Sequence, residues 1–228
     1  MSDKEAAERL REWVGDDPMN IEKLLPELRE CVVEGQFGPM IKHPLVNEVF
    51  FHSWKIANEM YEAKTKRIAE MIAEGNRMAA LWFYERPWRL TTMNEWYDDG
   101  YISLDEMREW LPRVWIDVEV PWQYGVVPIQ MFIATGFVTD VEGKSKVEDF
   151  ARGAINVYRG CDHRNRDGIS WTRSAERAAW FAGRLSDQEP EVWKGRVAPS
   201  DILGIFLERG EDEVVVAPWN VKQRRRME

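Results

Sequence analysis

Three short stretches bring together residue types that could do chemistry. Arg159 precedes Gly160 at what reads as the end of a strand. Ser170 and Thr172 flank Trp171 just ahead of a helix. Glu211 and Glu213 open a run of Val214, Val215 and Val216. Side chains two apart on an extended chain share a face, so the two carboxylates are expected side by side, as are the two hydroxyls. A guanidinium forks onto phosphate oxygens, and hydroxyls bond a ribose or orient a carboxylate. A carboxylate beside a departing glycosidic bond stabilises an oxocarbenium-like transition state. The set reads as a site for a phosphorylated, ribose-bearing ligand.

Each member also has a plainer reading. Arg159 could pair with Asp162. The stretch from Cys161 to Gly168 adds His163, Arg164 and Arg166, enough positive charge for a diphosphate, and equally the make-up of a solvated loop. Glu208, Arg209, Glu211 and Asp212 suit an exposed hairpin turn. The ordered combination is more specific than any member.

In that order the chain resembles the Arg–Ser–Glu class of the ADP-ribosyltransferase family. The resemblance rests on Tyr158-Arg159-Gly160, on Ser170-Trp171-Thr172 with the trailing Ala-Ala-Trp-Phe-Ala, and on Glu211-Asp212-Glu213 before the valines, and it covers about residues 150–218. It implies NAD as co-substrate. Arg159, Gly160, Ser170, Trp171, Thr172, Arg164 and Phe181 would form the NAD pocket, with Trp171 and Phe181 as walls. Glu213 would be catalytic, bonding the 2′-hydroxyl of the nicotinamide ribose, and Glu211 would activate the acceptor. The implied activity is mono-ADP-ribosyl transfer to a macromolecule, protein rather than nucleic acid; NAD hydrolysis and a non-catalytic binding module are the rivals. Trp171 stands where family members carry a small residue, and the segment before Glu211 is short for a target-recognition loop.

These residues need elements to position them. Helices are expected over 4–14, 19–34, 46–75 and 76–86, the third ending at Gly75. Ser103 and Glu106 form a capping box for a helix that Pro112 should end or bend. Residues 126–138 look β-like. Gly143 to Lys146 is a polar break, taken as the boundary between a helical region, 1–142, and a catalytic region, 143–228. Beyond it strands are expected over 154–158, 169–172 and 192–197, a helix over 174–185, a hairpin over 202–217 and a solvated tail over 222–226. The expected class is α+β: a helical N-terminal part packed on a small mixed β-sheet of ADP-ribosyltransferase-like fold.

Composition narrows the classes. The net charge is −9, with 15 Lys/Arg against 26 Asp/Glu over residues 1–142 and 16 against 14 over 143–228. The acidic part repels a phosphate backbone, which argues against nonspecific nucleic-acid binding. Cys31 and Cys161 and the three His offer no metal-ligand spacing. The opening MSDKEAAERLREW is polar, and no segment is long and apolar enough to span a bilayer, so a cytoplasmic chain without membrane contact is expected.

Overall fold

The computed structural model describes residues 5, 17, 20–35, 38–48, 53–117, 127–185 and 189–227; the helix expected over 4–14 falls almost wholly outside them. The chain is a mixed α+β protein, helices with a mixed sheet. It divides into two compact units, Met1–Thr92 and Met93–Glu228, so the break expected at 142/143 lies inside the second unit.

In the first unit the helix expected over 19–34 does not form. Leu24 and Leu25 are extended, as sterics before a proline require, and Pro26 then starts the short α1 (Pro26–Arg29), which buries Leu28. The chain continues as an antiparallel meander of β1 (Val32–Gly35), β2 (Gly38–Lys42) and β3 (Asn47–Glu48). The long helix expected from 46 starts later, as α2 (Trp54–Ala73), with Ala57 and Ile68 buried. It stops at Gly75, whose φ of 77° suits a residue without a Cβ. Asn76 then caps α3 (Arg77–Leu81), accepting from the Ala79 N–H.

In the second unit α4 (Arg89–Asp98), which begins in the first, leads to α5 (Leu104–Asp117). The capping box forms: Glu106 N–H donates to the Ser103 hydroxyl at 3.2 Å and Ser103 N–H to the Glu106 carboxylate at 2.8 Å. Pro112 neither ends the helix nor stops it short of Asp117. An interior proline costs about 3 kcal/mol, and burying large apolar side chains returns about 1.5–3 kcal/mol each. Val114 and Trp115, both buried beyond the proline, outweigh it.

The stretch expected as β instead forms α6 (Val127–Thr135), then β4 (Val138–Thr139). Pro128 fits a first helical turn, and Pro128, Ile129, Met131, Phe132 and Thr135 are all buried. The solvent side of α6 carries Ile133 and Ala134 beside Gln130, so hydrophobicity shows no clear periodicity to separate helix from strand.

The sheet adds β5 (Ile155–Cys161), β6 (Ser170–Thr172), β7 (Glu191–Val197), β8 (Ile202–Phe206), β9 (Glu213–Val216) and β10 (Lys222–Arg226). Its order is β10-β7-β5-β6-β9-β8-β4, antiparallel throughout except for β4 beside β8. The tail expected to be solvated is thus the edge strand β10, though most of its side chains are exposed. Val157, Trp171, Val214 and Val216 share one face and form a core with Ile202, Ile205 and Val221. The other face carries Tyr158, Gly160, Ser170, Thr172 and Glu213. On that face α7 (Ala175–Leu185) crosses so close to β5 that a Cβ on Gly160 would lie 1.9 Å from the Ala178 carbonyl oxygen. Both cysteines are free thiols, Cys31 partly exposed and Cys161 buried in β5.

Candidate functional site

Glu213 is the first residue of β9, paired across to Thr172 on β6 and Phe206 on β8. Diagonal neighbours on one face of an antiparallel pair come within reach of each other, and the side chain of Ser170 bonds the Glu213 carboxyl group. The indole N–H of Trp115, on α5, bonds the same carboxyl. Trp115 is itself fixed by aromatic contacts: its ring lies 5.0 Å from Phe132 and 6.4 Å from Phe206. Desolvation pushes the Glu213 carboxyl up to about 7, the Glu211 charge adds to the rise, and the two hydrogen bonds and Arg209 oppose it.

Arg159 sits on the opposite face of β5 by strand alternation, 8% exposed. Its guanidinium bonds main-chain carbonyls: Nε and Nη2 donate to Asn165 O at 3.2 and 2.8 Å, and Nη1 donates to Ser170 O. Three of the five N–H donors of an arginine therefore tie the loop to the start of β6, the strand that presents Ser170. Burial holds the guanidinium below its ordinary value, while Cys161 and Glu213 act to raise it. Gly168 makes room for this packing, since a Cβ there would lie 2.0 Å from Arg159 Nη2.

Arg159, Ser170, the 163–169 loop and Pro128 and Ile129 of α6 line a cleft of about 200 Å³. That is below the usual range for drug-sized ligands, about 300–1,000 Å³, and admits a single ring with its substituents. The loop's charges are partly neutralised. Arg164 pairs with Asp162 at 2.5 Å, holding that carboxyl below its usual range, and Arg166 forks onto Glu191 at 2.8 and 3.0 Å.

The other expected residues serve the frame. Thr172 is buried: its hydroxyl donates to Glu211 O at 2.7 Å and accepts from Ser174 N–H at 3.1 Å, closing the hairpin onto the start of α7. Trp171 lies in the core on the far face, its Nε1 donating to Gly168 O, so it does not wall the cleft. Phe181 is half-buried on α7, edge-on to Trp180 at 5.0 Å. Gly160 serves helix–strand contact. Glu211 and Glu213 are not on one extended segment, because Asp212 between them takes a left-handed φ of 51°. Glu211 belongs to the turn, 3.4 Å from Arg209.

That turn is tethered. Asp140 accepts from Leu207 N–H and Glu208 N–H at 2.9 Å each, Arg209 donates to Ile116 O at 2.7 Å, and Arg173 pairs with Asp212. Sequence reasoning missed Trp115, Gly168 and Asp140. A boundary at 143 put Trp115 and Asp140 in another domain; the readable signal was a tryptophan beyond Pro112 on a buried helical stripe, whose N–H needs a partner.

Among the described residues no group of three or more His, Cys, Asp or Glu is placed to hold a metal ion, and no helix is long and apolar enough to cross a membrane. No family model, no curated protein and no solved structure matches the chain.

Proposed function

We propose that the chain cleaves the nicotinamide–ribose bond of NAD and transfers ADP-ribose to a macromolecular acceptor. The carrying observation is the Glu213 carboxyl group, desolvated, bonded by Ser170 and Trp115, and poised near 7. A perturbed carboxyl group marks a candidate reactive centre, and Ser170, its partner, lines the cleft, though Glu213 itself does not. The ionised form supplies negative charge where a glycosidic bond breaks towards an oxocarbenium ion.

Nicotinamide departs with the electron pair of the carbon–nitrogen bond. Glu213 accepts a hydrogen bond from the ribose 2′-hydroxyl and stabilises the cation left at the ribose C1′. The acceptor attacks that carbon and loses its proton to a base, for which Glu211 is the nearest carboxylate. Ser170 and Trp115 orient Glu213, and Arg159, which lines the cleft, keeps two N–H groups that it does not spend on carbonyls. The cleft takes the nicotinamide or its ribose; the rest of the dinucleotide extends outside it.

The test is nicotinamide release from NAD by the full chain and by Glu213→Gln, which keeps size and removes the charge. Loss of release with an unchanged melting profile supports the reading; full activity in the variant overturns it. Mass spectrometry separates the outcomes: an adduct on the acceptor marks transfer, free ADP-ribose alone marks hydrolysis, and no release by the unaltered chain marks a binding module.

A further inference from the structure

We propose that the cationic face of the sheet edge formed by β7 and β10 is a docking surface for single-stranded nucleic acid. Lys222 stands opposite Arg196 and Arg225 opposite Lys194. On β5, Asn156 and Tyr158 continue the same two rows. Directly opposed residues share a face, and rows two residues apart lie about 7 Å from each other along the strand. Four cations are thus gathered on one face, in a chain whose net charge is −9.

Like charges directly opposite destabilise a sheet, and among the described residues no carboxylate ion-pairs with any of the four. The Lys222 ammonium donates to Trp219 O at 2.9 Å, and Lys194 lies over the Tyr158 ring at 5.7 Å. Arg196, Lys222 and Arg225 are exposed. A bulge sets the pattern. Gln223 takes a φ of 52° and shifts the register, so that three residues of β10 span two of β7. Arg224 turns to the other face, where it bonds Asp167 at 2.8 Å, and Arg225 falls beside Lys194. The cost of two like-charged pairs is met when a polyanion lies across them.

A phosphodiester strand supplies regularly spaced charge, and the aromatic neighbours select its form. Trp219 is 61% exposed beside Lys222, an open π-face for an unstacked base. Duplex bases are hidden in their stack and leave nothing for an exposed indole to stack on. An acidic protein segment would satisfy the cations and leave the indole unused. The local arrangement thus reverses what net charge implied, and it stands apart from the NAD chemistry.

Fluorescence anisotropy of a short fluorescein-labelled oligodeoxythymidylate, titrated with the full chain at several salt concentrations, tests the proposal. Saturable binding is expected, weakening with salt at a log–log slope of about −3, the value for about four neutralised phosphates on a single strand. The double variant Arg196→Glu, Arg225→Glu should bind at least tenfold more weakly on a flatter slope, with no fall in thermal midpoint because opposite charges now face each other. Lys66→Glu, at an exposed position of α2, should bind as the unaltered chain does. Trp219→Ala should lose about fivefold in affinity with the slope kept. The proposal is overturned by absent binding at low salt, by equal binding in the double variant, by an unchanged affinity in Trp219→Ala, or by poly-glutamate displacing the probe better than unlabelled oligonucleotide does.

Discussion

Glu213 is held by opposed influences, and each can be removed singly. Desolvation raises its carboxyl to about 7 while Ser170 and Trp115 pull down. With the ionised form active, kcat/KM for nicotinamide release should climb tenfold per pH unit below about 7 and level off above it. Trp115→Phe keeps the ring and deletes the donor. A hydrogen bond to a charged group contributes about 1.5 kcal/mol or more, so the inflection should move up by about one pH unit, with the plateau little changed. An inflection left in place would show that the indole does not act on the carboxylate. The same group couples folding to pH. Its folded-state value lies above its ordinary 4.5, so the native state binds more protons than the unfolded chain. The stability it contributes is full below pH 4.5 and is lost as pH rises through about 7, on the order of 3 kcal/mol in all. Glu213→Gln should therefore gain relative stability between about pH 5 and about pH 8 by that order, read from urea unfolding at both.

At the scale of elements, the site depends on how closely two of them approach. α7 crosses β5 at Gly160, where a Cβ would lie 1.9 and 2.5 Å from backbone atoms of the helix. Backbone cannot swing aside as a side chain does, so Gly160→Ala must push α7 off the sheet. Overpacking costs about 1–3 kcal/mol and more where nothing yields. Unfolding experiments should place this variant at or beyond the upper end of that range, and a cost under about 1 kcal/mol would mean that the helix shifts freely. The strands from 155 to 216 and their hairpin were legible because alternation, glycine and a helix start agree there, whereas β10, charged at every position but Gln223, read as a tail. The α6 segment was not legible, since its exposed side carries Ile133 and Ala134 and so its polarity shows no period, and the helix expected over 19–34 ignored the constraint that Pro26 puts on Leu25. That a hydroxyl of the Ser170–Thr172 pair could support a carboxylate was readable from its chemistry, but strand parity on separate strands could not say which carboxylate; Thr172 was not readable as a hairpin clasp, because its acceptor, Glu211 O, is main chain.

For the whole molecule, the division at Thr92/Met93 changes which residues belong with the candidate site. β4 completes the sheet and α5 and α6 pack on it: Trp115 and Phe132 contact Phe206, and Asp140 ties the hairpin. A fragment of residues 143–228 would leave Phe206 and Glu213 without those neighbours, and should show no cooperative unfolding by circular dichroism. One starting at Arg89, the first residue of α4, should melt cooperatively. A cooperative melt of the shorter fragment would refute this partition. The split at Thr92/Met93 falls inside a helix, where no run of turn residues marks it, whereas the expected break at 143 followed the polar run Gly143–Lys146.

One cysteine lies in each half of that partition: Cys31 in the first, partly open to solvent, and Cys161 in the second, shut inside β5, its thiol pushed up by burial. An alkylating reagent meets Cys161 only when the strand comes away from its neighbours. The molecule therefore carries its own clock for breathing of the large sheet, which can be read without adding any label site.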